Sequence, residues 1–120
     1  MDYTPKKDYN DKFKKGICYI KEYLKNSSLS FCINAVYIFG STVKGTNRFD
    51  SDIDILICFS DDIQKITDYK KQMRMIKSDL SFINNEYPEV DTKIFIGNSW
   101  LSDTSHFCNE IRKDGINIWH

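Results

Sequence analysis

Two aspartates one residue apart, Asp52 and Asp54, open the apolar run Asp52-Ile53-Asp54-Ile55-Leu56-Ile57-Cys58-Phe59. In a strand, side chains alternate, so both carboxylates share one face with roughly 7 Å between their Cα atoms. Ile53, Ile55 and Ile57 then turn the other way, into apolar packing. Two like charges raise each other's pKa unless a cation sits between them. Hard oxygen donors at this reach suit Mg²⁺, which takes one or two carboxylates and fills its shell with water and phosphate oxygens. Asp-x-Asp pairs are common on solvated strand faces. Here the rest of the strand is apolar, where a charge without a partner is costly. A second feature lies upstream: the apolar run Ala35 to Phe39 stops at Gly40-Ser41. A Gly-Ser step after a buried strand offers backbone N–H groups and a hydroxyl, a combination able to hold a phosphate.

The elements that must position these groups follow from periodicity. Phe13, Ile17, Ile20 and Leu24 mark one face of an amphipathic helix ending near Asn26. Residues 35–39 form a buried strand, 41–51 a polar loop, and 52–59 a second strand. The stripe Ile63, Ile66, Met73, Ile76, Leu80 and Ile83 predicts one long helix from about Asp61 to Asn84, opened by an Asp61–Gln64 capping box. Pro88 leads into a third strand, Glu89 to Ile96. A last helix is expected over Ser99 to Lys113, with Leu101, Thr104, Cys108 and Ile111 on one face and Gly115 as a left-handed C-terminal cap. Ile116 to Trp119 is a short final strand. The order α-β-β-α-β-α-β gives an α/β (α+β) class, a small mixed sheet flanked by helices.

The 120 residues fit a single domain, 1–120, with residues 1–10 expected as a loose leading segment. Seventeen basic and seventeen acidic residues leave a net charge of +0, which argues against a protein held to nucleic acid by phosphate neutralisation. No apolar run approaches the roughly 18 residues that span a bilayer, and the start of the chain lacks the apolar stretch of a secretion signal, so a cytoplasmic protein is expected. Cys18, Cys32, Cys58 and Cys108 show no metal-ligand spacing and read as reduced thiols, with Cys32 and Cys58 in the core. Lys65, Lys70, Lys71, Arg74 and Lys77 are interleaved with Asp68 and Asp79 and read as a solvated helix face. His106 has no apparent acidic partner and reads as a helix-surface residue.

Gly40-Ser41, ten residues, then Asp52-Ile53-Asp54 resembles the signature of the DNA polymerase β-like nucleotidyltransferase superfamily. The Ser51-Asp52-Ile53-Asp54-Ile55 form and the ending from Glu110 to Trp119 look like its minimal nucleotidyltransferases. The resemblance runs from about residue 10 to the end and implies the polymerase β-like fold. It implies transfer of AMP from ATP with two Mg²⁺ ions, held by Asp52, Asp54 and a third carboxylate on the following strand. Glu89 and Asp91 both qualify for that role. Asp91 lies deeper in the strand and fits the family position better, although it also reads as a strand-edge charge beside Lys93. Gly40 and Ser41 would contact the β and γ phosphates. Lys44 and Arg48 would add cations near the leaving pyrophosphate, Lys44 as a point charge where many relatives carry arginine.

Minimal domains of this kind often pair with a small helical protein of the HEPN (higher eukaryotes and prokaryotes nucleotide-binding) class, an RNase toxin. They act as antitoxins by adenylylating a tyrosine on it. The resemblance thus implies a HEPN-type partner and a tyrosine acceptor. Two other functions compete: an antitoxin that neutralises by contact without catalysis, and a small-molecule nucleotidyltransferase such as an antibiotic-modifying subunit. The intact Gly40, Ser41, Asp52 and Asp54 argue against the first. The second class usually carries an additional helical domain.

Overall fold

The computed structural model describes residues 7–40, 52–81 and 89–119. The elements are α1 (Lys7–Lys25), β1 (Ile33–Phe39), β2 (Ile53–Phe59), α2 (Tyr69–Ser81), β3 (Val90–Ile96), α3 (His106–Asp114) and β4 (Ile116–Asn117), with 3-10 turns at Ser30–Cys32, Asp61–Lys65 and Ser99–Leu101. They form a four-stranded mixed sheet in the order β3-β2-β1-β4. β1 pairs antiparallel with β2 and β4, and β2 pairs parallel with β3. The expected class, mixed α/β with helices about a small sheet, is the one observed.

Alternation sorts the strands into two packed faces. Val36 and Ile38 of β1, Ile53, Ile55, Ile57 and Phe59 of β2, and Val90 of β3 pack with Phe13, Ile20 and Leu24 of α1 and Ile76 and Leu80 of α2. Ala35 and Phe39 of β1 and Leu56 and Cys58 of β2 face Trp100 and the Cys108–Ile111 side of α3. β2 is therefore buried on both faces, which explains why its sequence is a continuous apolar run rather than an alternation. Removing these chains from water is the main stabilising term, roughly 1.5–3 kcal/mol for each fully buried Ile, Leu or Phe.

Cys32, Cys58 and Cys108 are buried free thiols and Cys18 is exposed. Burial and the neighbouring Cys108 push the Cys58 thiol up to about 12, so it is a packing group rather than a nucleophile.

Three local expectations are corrected. The helix expected from Asp61 is a 3-10 turn over Asp61–Lys65, an extended Ile66, and then α2 from Tyr69. Ser60, not Asp61, caps that turn, its hydroxyl accepting from the Asp62 amide at 3.2 Å; the remainder of the expected helix, 82–84, lies outside the described residues. Likewise the 99–113 helix is a 3-10 turn followed by α3. Between them the Asp103 carboxylate accepts from the Ser105 amide at 2.7 Å, and the Arg112 guanidinium donates to the Trp100 and Asp103 carbonyls, both at 2.7 Å. These bonds compete with helix formation, so Leu101 and Thr104 are exposed while Cys108 and Ile111 are buried. Finally, Gly115 has φ −63°, not the left-handed cap conformation. Glycine suits it because a Cβ would lie 2.6 Å from the Ile111 carbonyl oxygen.

Candidate active site at the carboxylate end of the sheet

β1 ends where β2 begins, and the register pairs Phe39 with Asp54. The next residue, Gly40, has φ +76°, a left-handed conformation that side-chain-bearing residues rarely adopt. A Cβ at Gly40 would stand 2.5 Å from the Asp54 Oδ2. The absent side chain is therefore what lets the end of β1 close against the Asp54 carboxylate. On the other side of β2, the parallel register pairs Asp54 with Asp91. Gly40, Asp54 and Asp91 thus lie on three adjoining strand ends.

Asp54 is half-buried, while Asp52 and Asp91 are exposed. The Asp54 carboxyl is raised from the ordinary 3.8 to about 6. Burial is the first cause, followed by the charges of Asp91, Asp52 and Glu110, with Lys93 opposing them. Three other acidic groups thus bear on Asp54. Glu89 precedes β3, is exposed, and contributes its carbonyl to the ladder by accepting from the Ile53 amide at 2.8 Å. The register pairs Val90 with Ile53 and Asp91 with Asp54.

The excess of carboxylate charge fits a hard divalent cation. Among the described residues, however, no three His, Cys, Asp or Glu side chains converge closely enough to form a metal cage. The arrangement fits an ion of the Mg²⁺ type, which rests on one or two carboxylates and completes its shell with water and substrate phosphate. The expected contributions of Ser41, Lys44 and Arg48 lie outside the described residues.

One participant was missed by sequence reasoning, and a second was named only as the charge beside Asp91. Glu110, on α3, acts electrostatically on Asp54 across the sheet–helix contact. Its carboxylate also pairs with His106, Oε1 to Nε2 at 2.9 Å, so His106 does have an acidic partner. The signal was present as a His and a Glu four residues apart on one helix. Lys93 is the second. It stands two residues beyond Asp91 on β3, with Nζ 3.6 Å from Asp91 Oδ1 and 5.6 Å from the Phe107 ring centroid.

Comparison with known proteins identifies the family. The family model "Polymerase beta, Nucleotidyltransferase" matches residues 19–120, and the chain belongs to that family. Among solved structures, a protein from Sulfolobus solfataricus assigned as a nucleotidyltransferase is similar at 26% identity and a TM-score of 0.55, over 88% of this chain and 78% of that one. A structure described as a toxin–antitoxin with AMP-PNP shows 22% identity and a TM-score of 0.49, over 88% of this chain and 72% of that one. None of the curated proteins matches the sequence.

Proposed function

We propose that this nucleotidyltransferase domain transfers AMP from ATP to a hydroxyl of a partner protein. The single observation that supports this reading best is the Gly40–Asp54–Asp91 arrangement. It combines a backbone turn free of side chain, a half-buried carboxylate and a second carboxylate in register. Asp52, Asp54 and Asp91 are the residues that would hold Mg²⁺, one or two carboxylates to an ion. When bound, the ions would neutralise charge on the attacking and leaving oxygens of an in-line displacement. Gly40 and Ser41 would present N–H groups and a hydroxyl to the β and γ phosphates, and Lys44 and Arg48 would supply positive charge toward the pyrophosphate. Asp91 would orient an incoming hydroxyl or take its proton.

For the acceptor, the reading is a tyrosine on a HEPN-type helical toxin, with this chain as the cytoplasmic antitoxin. Its support is the resemblance of the Gly40-Ser41 to Asp54 segment and of the chain's ending to the minimal nucleotidyltransferases. Among the described residues no helix is long and apolar enough to cross a membrane.

Incubating the chain with ATP, Mg²⁺ and its co-purifying or co-encoded helical partner tests this reading by intact-mass spectrometry. The expected result is one or more AMP additions on the partner that require Mg²⁺, Asp52 and Asp54. A partner that is inhibited equally by wild type and Asp52→Asn, with no mass change, would instead establish neutralisation by contact. AMP transfer only to a small hydroxylated molecule would establish the small-molecule reading.

A further inference from the structure

Lys93 is placed oddly for a surface lysine. β3 alternation puts it on the same face as Asp91 and Phe95, toward the carboxylate end of the sheet. Its ammonium lies 3.6 Å from Asp91 Oδ1, and the side chain is only 39% exposed. The Phe107 ring lies beneath the charge at 5.6 Å. That ring is itself held between Phe39 at 6.5 Å and Phe95 at 6.0 Å, so the partly buried platform is packed against the core. A cation over an aromatic face is stabilised where it stands. The acidic end of the sheet therefore carries its own positive charge, already engaged with one of the carboxylates a metal would use.

A divalent cation entering beside Asp91 meets this charge and is repelled by it. A nucleotide changes the balance, because its phosphates bring negative charge and acceptor oxygens within reach of a flexible four-carbon stem ending in three donors. We propose that Lys93 is the resident counter-ion of Asp91, displaced by a divalent cation and passed to a phosphate of the bound nucleotide. This proposal rests on the nucleotidyltransferase reading for its second half only; the displacement by metal stands on the geometry of Asp91, Lys93 and Phe107.

The test measures Mn²⁺ binding to the intact chain, by calorimetry or by the paramagnetic signal of free Mn²⁺, without and with ATP. Without nucleotide, Lys93→Met and Lys93→Gln bind Mn²⁺ about fivefold more tightly than wild type, the scale of a partly exposed charge interaction. Lys93→Arg, which keeps the charge, stays within about twofold of wild type on the same scale. In an Asp91→Asn background the gain from Lys93→Met disappears. With ATP present the order reverses, and Lys93→Met binds the Mn²⁺–nucleotide pair less tightly than wild type. Unchanged or weaker Mn²⁺ binding in both neutral variants overturns the displacement, as does a gain that persists without Asp91. Tighter Mn²⁺ binding in Lys93→Met with unaltered Mn²⁺–ATP affinity overturns the transfer to phosphate. A wild-type chain that fails to bind Mn²⁺–ATP sinks the nucleotide reading, and the metal-only comparison still decides the displacement.

Discussion

Replacing Asp54 with asparagine should stabilise the metal-free protein while abolishing its chemistry. The Asp54 carboxyl is raised from the ordinary 3.8 to about 6, through burial and the charges of Asp91, Asp52 and Glu110. A carboxyl with a raised folded-state pKa holds its proton more tightly folded than unfolded. Its favourable contribution is therefore complete below about pH 4 and is lost as pH rises through about 6. The difference corresponds to about 3 kcal/mol at full strength. Because Asp54 is only half-buried, solvent screening reduces this to on the order of 1 kcal/mol. Asp54→Asn keeps the shape without the charge. At neutral pH its melting temperature in the presence of a chelator should exceed that of wild type by about 4 °C. The gap should shrink toward zero near pH 4, where wild type is itself protonated. Excess Mg²⁺ with ATP should raise the wild-type melt and leave the variant unmoved. The assay is a set of thermal melts by circular dichroism between pH 4 and 8, paired with the AMP-transfer measurement. A variant less stable than wild type at neutral pH, or a gap that does not vary with pH, would refute the electrostatic account. Transfer within a few-fold of wild type would refute the role of Asp54.

Two further substitutions probe the surroundings. Gly40→Ala forces a Cβ into a left-handed backbone, 2.5 Å from Asp54 Oδ2. It should cost about 1–3 kcal/mol in denaturant unfolding and displace the Asp54 carboxylate, lowering nucleotide affinity in the same protein. Thr92 is buried on β3, and its hydroxyl has no hydrogen-bond partner among the described residues. Thr92→Val keeps the shape and removes the unsatisfied group, so the urea midpoint should rise by an amount equivalent to about 1 kcal/mol, with transfer activity unchanged.

The parts of this molecule that could be read from sequence are those governed by period and by burial. The run Ile53 to Phe59 could scarcely be anything but a central strand, and its two leading aspartates are then anomalous by position alone. The parallel register of β2 with β3 makes Asp91, rather than Glu89, the neighbour of Asp54. That outcome depends on a pairing between segments more than thirty residues apart, which periodicity does not specify. Helix starts were misread where side chains bonded to nearby backbone instead. Ser60 caps a 3-10 turn, and Arg112 reaches back to the Trp100 and Asp103 carbonyls. Apolar stripes alone do not reveal such bonds. The bearing of Glu110 and of Lys93 on Asp54 is not legible in the sequence because it is tertiary: one arrives on a helix packed across the sheet, the other through the strand pairing.

The burial of β2 on both faces has a consequence for how the acidic end behaves in time. Local opening of a chain follows its weakest packing, and the amides of a strand enclosed on both sides and bonded at both edges exchange with solvent only when the whole domain opens. Asp54 rides on that strand, and the bond from the Ile53 amide to the Glu89 carbonyl locks the rung just before it. Its carboxylate is thus a fixed point of reference. Asp52 stands ahead of the strand, and Asp91 lies on β3, the edge of the sheet. If the proposed site binds an ion and a nucleotide, any adjustment needed to grip and release them would fall to those two carboxylates, without loosening the core that gives Asp54 its place.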